Sequence, residues 1–362
     1  MSPLSCESSS WLNPKRGYNH WVKTLEIPKS WYYAGEEKQF TAKPKLVSLP
    51  STQVVVYRTS HGQLKAVESR CPHMKASLTR ARVAGQHLVC PMHNWTFDSQ
   101  GKCVSIPGAS KLDIPRFACL KTYKVTEWRG HVFIHTDPNF KAELPFFENE
   151  NLHDYKSAKV RELSGTNHWS LSAGNAFDLA HFEFVHYRKP TAPPQLMQSC
   201  KNSLRLKLSY DILGKSLADR FLIKRFGKSA TLDYTVHHGN MILAKTQIGK
   251  FENRMMILIH PAEVGFKAWL FVLEKPTLSP IKKLKHEMAA YFSYQFFANE
   301  CQELEGISFE TERKGPRDEL LVQYYEWLKT QTSQEKPSPS GTLDTTLWQI
   351  TESISPVMIS QT

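Results

Sequence analysis

Two histidine-bearing cysteine pairs, Cys71-Pro72-His73 and Cys90-Pro91-Met92-His93, lie 16 residues apart and are followed by Pro107-Gly108. Two cysteines and two histidines so spaced can hold a 2Fe-2S cluster, with thiolates on one iron and imidazoles on the other. Zinc also accepts two cysteines and two histidines, so a structural zinc site is the alternative reading of these four residues alone. With a cluster, the chemistry is electron delivery. Neutral imidazoles make the site less negative than four thiolates would, and its reduction potential rises accordingly.

A second constellation follows in the stretch from Asn175 through Asp178 and His181 to His186. Five helical steps of about 100° place His181 and His186 about 140° apart on an ideal helix, so they are not helical neighbours. For both to meet one metal, the helix must end near Phe184 or be distorted there. Two histidines and one carboxylate leave open positions on Fe(II), where dioxygen and a substrate can approach together. Asp178 stands about one turn before His181, where its carboxylate can reach the imidazole and fix its tautomer. Asn175 lies one turn further back on the same face.

The elements that must position these residues divide by periodicity. From Trp31 to Asp137 the chain reads as short strand-like runs, such as Gln53–Tyr57 and His131–His135, separated by Gly and Pro. That pattern is a small all-β module with both metal pairs at its turns. A Pro-, Asn- and acid-rich linker spans 138–154. Helical spacing then covers Trp169 to Phe184, with an apolar stripe at Leu171, Ala176, Leu179 and Phe182. Runs such as Met256–His260 and Ala268–Leu273 predict strands of one antiparallel sheet between Leu204 and Glu274. Pro280 opens a long helix from Ile281 to Glu305, stopped by Gly306, and a last amphipathic helix is expected over Arg317–Lys329. The Ser-, Thr- and Pro-rich tail 331–362 is expected to be disordered.

The run from Arg70 to Gly108 resembles the Rieske domain, in which the residues matching Cys71, His73, Cys90 and His93 hold the cluster. The spacing Asn175-x2-Asp178-x2-His181-x4-His186 resembles the motif of the Rieske non-haem iron oxygenases. That resemblance implies an α+β chain: an N-terminal all-β Rieske domain (31–137, after a lead segment 1–30), and a helix-grip-like catalytic domain of antiparallel sheet and helices (155–330). It also implies mononuclear Fe(II) held by His181, His186 and a carboxylate from the long helix. The family usually shows an aspartate there; the matching residue is Glu300, one methylene longer, with Glu303 and Glu305 as fallbacks. Asp178 would bridge to a Rieske histidine of a neighbouring subunit, relaying electrons in a head-to-tail homotrimer.

The implied activity is that of an oxygenase component acting on dioxygen and a largely apolar small organic molecule. Only 113 residues separate His186 from Glu300, a compactness that resembles the single-subunit-type members of the family, which implies mono-oxygenation, demethylation, desaturation or N-oxidation over cis-dihydroxylation. Met255, Trp269, Phe271 and Tyr291 are among the apolar residues expected to line its pocket. Electrons would come from NAD(P)H through a separate reductase or ferredoxin, since no Gly-x-Gly-x2-Gly nucleotide fingerprint occurs. The alternative is an electron-transfer or regulatory protein with a degenerate iron site.

The 362 residues carry 46 Lys+Arg against 34 Asp+Glu, a net charge of +12. No basic run alternates with aromatics, so nucleic acid is not an expected partner; the excess reads as solvated surface or as a field for an acidic partner. Seven cysteines form no regular framework, which favours a reducing compartment. No stretch of about 18 apolar residues is present to span a membrane, and no signal peptide is recognisable, so the cytoplasm is the expected location.

Overall fold

The computed structural model describes residues 25–215, 217–311 and 314–332. The expected tail therefore lies almost entirely outside the described residues, as does most of the lead segment. The N-terminal module opens at Trp31, as the periodicity predicts, and contains three small antiparallel sheets. One joins β1 (Trp31–Glu36), β10 (Val125–Trp128) and β11 (His131–His135). A second joins β2 (Lys45–Leu49), β3 (Thr52–Arg58), β4 (Leu64–Glu68) and β9 (Thr122–Tyr123). The third joins β5 (Arg82–Ala84), β6 (His87–Val89), β7 (Thr96–Phe97) and β8 (Cys103–Ser105); the Cys90–His93 loop connects β6 to β7, and the Cys71–His73 loop lies between β4 and β5.

The larger domain is built on one nine-stranded antiparallel sheet. Its short outer strands are β12 (Lys156–Ser157), β13 (Arg161–Gly165), β14 (Arg188–Pro190) and β15 (Gln195–Cys200). The long ones are β16 (Ser203–Ile212), β17 (Ser229–His237), β18 (Met241–Ile248), β19 (Phe251–Pro261) and β20 (Phe266–Glu274), hydrogen-bonded in sequence order. Where both faces of this sheet are covered, in β19, β20 and the start of β18, the strands read as continuous apolar runs, whereas β16 and β17 alternate. Met241, Leu243, Met256, Leu258 and Phe271 pack against Trp31, Trp128 and Phe133 of the N-terminal module. Their neighbours along the same strands, Ile242, Ala244, Met255 and Ile257, turn to the helices on the other side.

Those helices are α1 (Trp169–Gly174), α2 (Leu179–Phe184), α3 (Leu217–Phe226), α4 (Pro280–Glu303) and α5 (Glu319–Thr332). The long helix starts where expected. Ser279 caps it by accepting the Lys282 amide at 3.4 Å, Pro280 occupies its first turn, and Gly306 follows its end at φ 75°. Three expectations change. The helix expected over Trp169–Phe184 is broken: a 3-10 turn at Asn175–Phe177 and the non-helical Asp178 (φ −86°, ψ 89°) separate α1 from α2. The last helix begins and ends later than Arg317–Lys329. The ten-residue α3 interrupts the expected run of strands. It is bracketed by Gly214 and Gly227, and holds the sheet edge through Leu222, Ile223 and Phe226.

The break after α1 depends on close approach to α5. Phe177 stacks on the buried Tyr324 ring at 4.9 Å, and Tyr324 donates its hydroxyl to the Ser170 carbonyl at 3.1 Å. A Cβ at Gly174 would stand 2.4 Å from Tyr324 Cε1. Helix propensity alone favours Gly174→Ala by about 1 kcal/mol, but the ring has no room to retreat, and overpacking costs about 1–3 kcal/mol. Gly174→Ala should therefore lower the thermal unfolding temperature of the full chain; a higher temperature would refute this packing account.

Candidate active site

The two metal-pair loops of the small domain are built alike. The Cys71 amide bonds to the Ala76 carbonyl at 2.9 Å and the Lys75 amide returns to the Cys71 carbonyl at 3.0 Å. In the second loop, Cys90 pairs with Trp95 at 2.9 Å and Asn94 with Cys90 at 3.1 Å. Lys75 and Asn94 both take the left-handed conformation, at φ 56° and 53°, which closes each turn over its own cysteine. Cys71 and Cys90 are buried with Trp95, while His73 and His93 are exposed. The imidazoles approach at 4.8 Å between ring centroids, and His73 stacks on Trp95 at 4.5 Å.

The four residues thus form two like pairs, thiols inside and imidazoles outside. That arrangement suits a two-iron cluster, in which each iron takes one kind of ligand, better than one tetrahedral zinc. Burial, with the adjacent Cys90 thiol, pushes the Cys71 thiol up to about 11. A thiol so placed resists ionisation unless a cation holds its charge. Ile106 packs against the apolar cluster that buries these cysteines, and the exposed Pro107 follows it in a turn closed by the Ala109 amide on the Ile106 carbonyl at 3.1 Å, with Gly108 at φ 79°.

In the larger domain, α2 ends at Phe184, as its two histidines require. Val185 stays helical and Tyr187 turns left-handed at φ 55°, which swings His186 back toward His181. His181 Nε2 and His186 Nε2 are 3.0 Å apart. Glu300, from the last turns of α4, reaches both: Oε2 lies 3.2 Å from His181 Nε2 and Oε1 lies 2.8 Å from His186 Nε2. The latter contact is off the line of a hydrogen bond, leaving Oε1 buried and without a donor. Two donor atoms at right angles, each about 2.1 Å from one ion, are about 3.0 Å apart, so the three spacings fit a single cation better than a hydrogen-bond network. Among the described residues this trio is the one that converges so closely. Glu303 and Glu305, the fallback carboxylates, face solvent.

The electrostatics have the same origin. Burial would raise the Glu300 carboxyl, but the two imidazoles outweigh it and push it down to about 2. Burial lowers His181, yet the Glu300 contact and charge, with Asp178 behind, raise it overall.

Asn175 donates its side-chain amide to Glu300 Oε2, so its expected place beside a ligand is where it stands. Asp178 sits differently from the expectation: it caps α2, and its Oδ1 accepts the His181 backbone amide at 2.9 Å, where the expectation had an imidazole proton. Its charge still acts on the ring. Sequence reading missed Arg188. Its guanidinium holds the His186 carbonyl at 2.8 Å and pairs with the buried Asp219 at 2.7 and 3.2 Å, anchoring the turn that carries His186. Asp219 lies on the unexpected α3, so no spacing pointed to it.

The trio opens on a cavity of about 290 Å³ between sheet and helices, lined by His186, Glu300 and mostly apolar side chains. Of the aromatic and aliphatic residues expected there, Met255 lines it. Trp269 and Phe271 lie on the opposite face of the sheet, packed toward the small domain, because adjacent strand residues alternate faces. Tyr291 points outward from α4.

Residues 30–124 match the Rieske [2Fe-2S] domain. A probable 3-ketosteroid-9-alpha-monooxygenase oxygenase component of Rhodococcus rhodochrous is 30% identical over 186 residues, 47% of this chain and 46% of that protein. Protein TIC 55 of Arabidopsis thaliana is 31% identical over 183 residues, covering 49% of this chain and 34% of that one. The chain spans about half the length of the curated relatives it matches. The fold extends further: dicamba monooxygenase bound to dicamba superposes with a TM-score of 0.58 at 17% identity over 85% of this chain and 98% of that one. NdmB of Pseudomonas putida CBB5 gives 0.59 at 18% identity, over 83% and 89%.

The chain therefore carries a Rieske [2Fe-2S] domain, is similar over about half its length to oxygenase components of Rieske systems, and shares the α+β fold of the solved structures it superposes on. Both cofactors implied by that kinship, a Rieske 2Fe-2S cluster and a mononuclear iron, have residues here that fit them.

Proposed function

We propose that this chain is the oxygenase component of a multi-component Rieske system. Cys71, His73, Cys90 and His93 hold the cluster, and His181, His186 and Glu300 hold Fe(II). The observation that carries the reading is the convergence of His181, His186 and Glu300 at the wall of a buried apolar cavity. When bound, iron on such a face supplies reductive activation of dioxygen next to a substrate. The remaining work belongs to the protein. Asn175 restrains the Glu300 carboxylate, Arg188 fixes the turn bearing His186, and the apolar walls exclude water and hold a largely apolar organic molecule. The outcome is mono-oxygenation, demethylation, desaturation or N-oxidation.

Electrons reach the cluster from NAD(P)H through a separate reductase or ferredoxin, in the cytoplasm. Assembly as a head-to-tail homotrimer, with Asp178 linking the iron of one subunit to the cluster of the next, is supported by two exposed apolar rims. Met74 and Met92 flank the cluster histidines, and Phe184 and Val185 flank the end of α2.

Glu300→Ala should keep the visible and reduced-state EPR signals of the cluster while losing the mononuclear iron and reductant-driven oxidation; wild-type oxidation by this variant would exclude Glu300 as a ligand. Asp178→Asn retains a capping side chain but removes the charge. It should lower turnover about 10- to 100-fold with both metals still bound, whereas unchanged turnover contradicts the relay.

A further inference from the structure

The outward side of α4 is apolar where a surface helix is ordinarily polar. Ile281, Leu284, Met288, Tyr291, Phe292 and Phe296 follow at spacings of 3, 4, 3, 1 and 4 residues, and all are exposed, from 67% at Ile281 to 42% at Phe296. They fall within one stripe over four turns, opposite the buried Ala290, and at its C-terminal end Phe296 stands one turn before the site-facing Glu300. Leu278, just before the helix, is 95% exposed, and Phe221 on the neighbouring α3 is 66% exposed. A helix apolar on both sides is covered by something.

The charges around this face say what. Lys282, Lys283 and Lys285 stand on the first turns of α4, and Arg220, Lys224 and Arg225 are exposed on α3. Glu287 is the acidic residue among them on α4, and Asp219 on α3 is buried against Arg188. The two helices also flank the mouth of the cavity. Leu222 of α3 and Phe292 and Phe296 of α4 line it, and both phenylalanines are at the same time exposed to the outside. Apolar side chains ringed by lysine and arginine are what an interfacial helix presents to a bilayer, with the apolar groups in the acyl boundary and the cations at anionic headgroups.

We propose that the α3–α4 face docks on an anionic lipid surface, with the cavity mouth turned toward the lipid. Docking there lets an apolar molecule pass from the acyl region into the cavity without crossing water. This is peripheral attachment: among the described residues no helix is long and apolar enough to cross a membrane. The route for substrate rests on the proposed function, but the docking does not, so a failure of the Glu300 test leaves it standing, and the reverse also holds.

The test is co-sedimentation of the full-length, cluster-loaded protein with vesicles of phosphatidylcholine alone or mixed with phosphatidylglycerol. Binding is expected to the anionic vesicles, weakening as salt rises. Replacing Lys282, Lys283 and Lys285 by Gln should weaken it about fivefold per lysine, roughly 100-fold together. Leu284→Asp with Met288→Asp should cut it at least about tenfold. All five side chains are exposed, and an unchanged cluster spectrum reports that the variants fold. No sedimentation of the wild type, or sedimentation equal in wild type and variants, overturns the proposal. So does a change in assembly mass in the Leu284/Met288 variant with unaltered vesicle binding, which would assign the face to a second copy of the chain.

Discussion

Everything in the larger domain is arranged around one electrostatic demand: a carboxylate, Glu300, buried at the wall of an apolar cavity with two imidazoles within 3.2 Å. A buried charge is costly unless it is paired. Two neutral imidazoles do not neutralise it, so the cluster of donors is stable only with protons or a cation at its centre. The surroundings hold the three groups in place. Asn175 tethers the carboxylate, Asp178 caps the short helix bearing His181, and Arg188 ties down the carbonyl of His186.

The sheet makes that geometry possible by separating two tasks. One face carries the small β domain through Trp31, Trp128 and Phe133; the other faces the helices and the cavity. Because the same strands supply both faces, the cluster-bearing domain is fixed rigidly to the domain that holds the second site. The cysteine–histidine loops and the His181–His186–Glu300 site thus share a frame while lying on opposite sides of it.

Much of this was legible in the chain itself. The cysteine and histidine pairs, the start of the first strand at Trp31 and the opening of α4 at Pro280 rest on local chemistry, which spacing records directly. The angle between His181 and His186 also required the helix to stop near Phe184, and it does. What spacing could not record is tertiary. The break at Asn175–Asp178 arises because Asn175 turns to Glu300, 125 residues away, and Asp178 prefers to cap. The Arg188–Asp219 pair joins a strand to a helix that no periodicity announced. The face to which Trp269 and Phe271 point was decided by sheet register, and a one-residue difference reverses it. The resemblance had put Glu300 ahead of Glu303 and Glu305, and the turn of α4 buries the first and exposes the others.

The account stands or falls on whether one chain holds two distinct iron sites. The most direct measurement is the ratio of iron to acid-labile sulfide in the full-length protein after anaerobic reconstitution with Fe(II). A cluster of two irons and two sulfides, plus a separate mononuclear iron, predicts about three irons and about two sulfides per chain. A value of about two irons with two sulfides would leave His181, His186 and Glu300 without a metal and contradict the central claim.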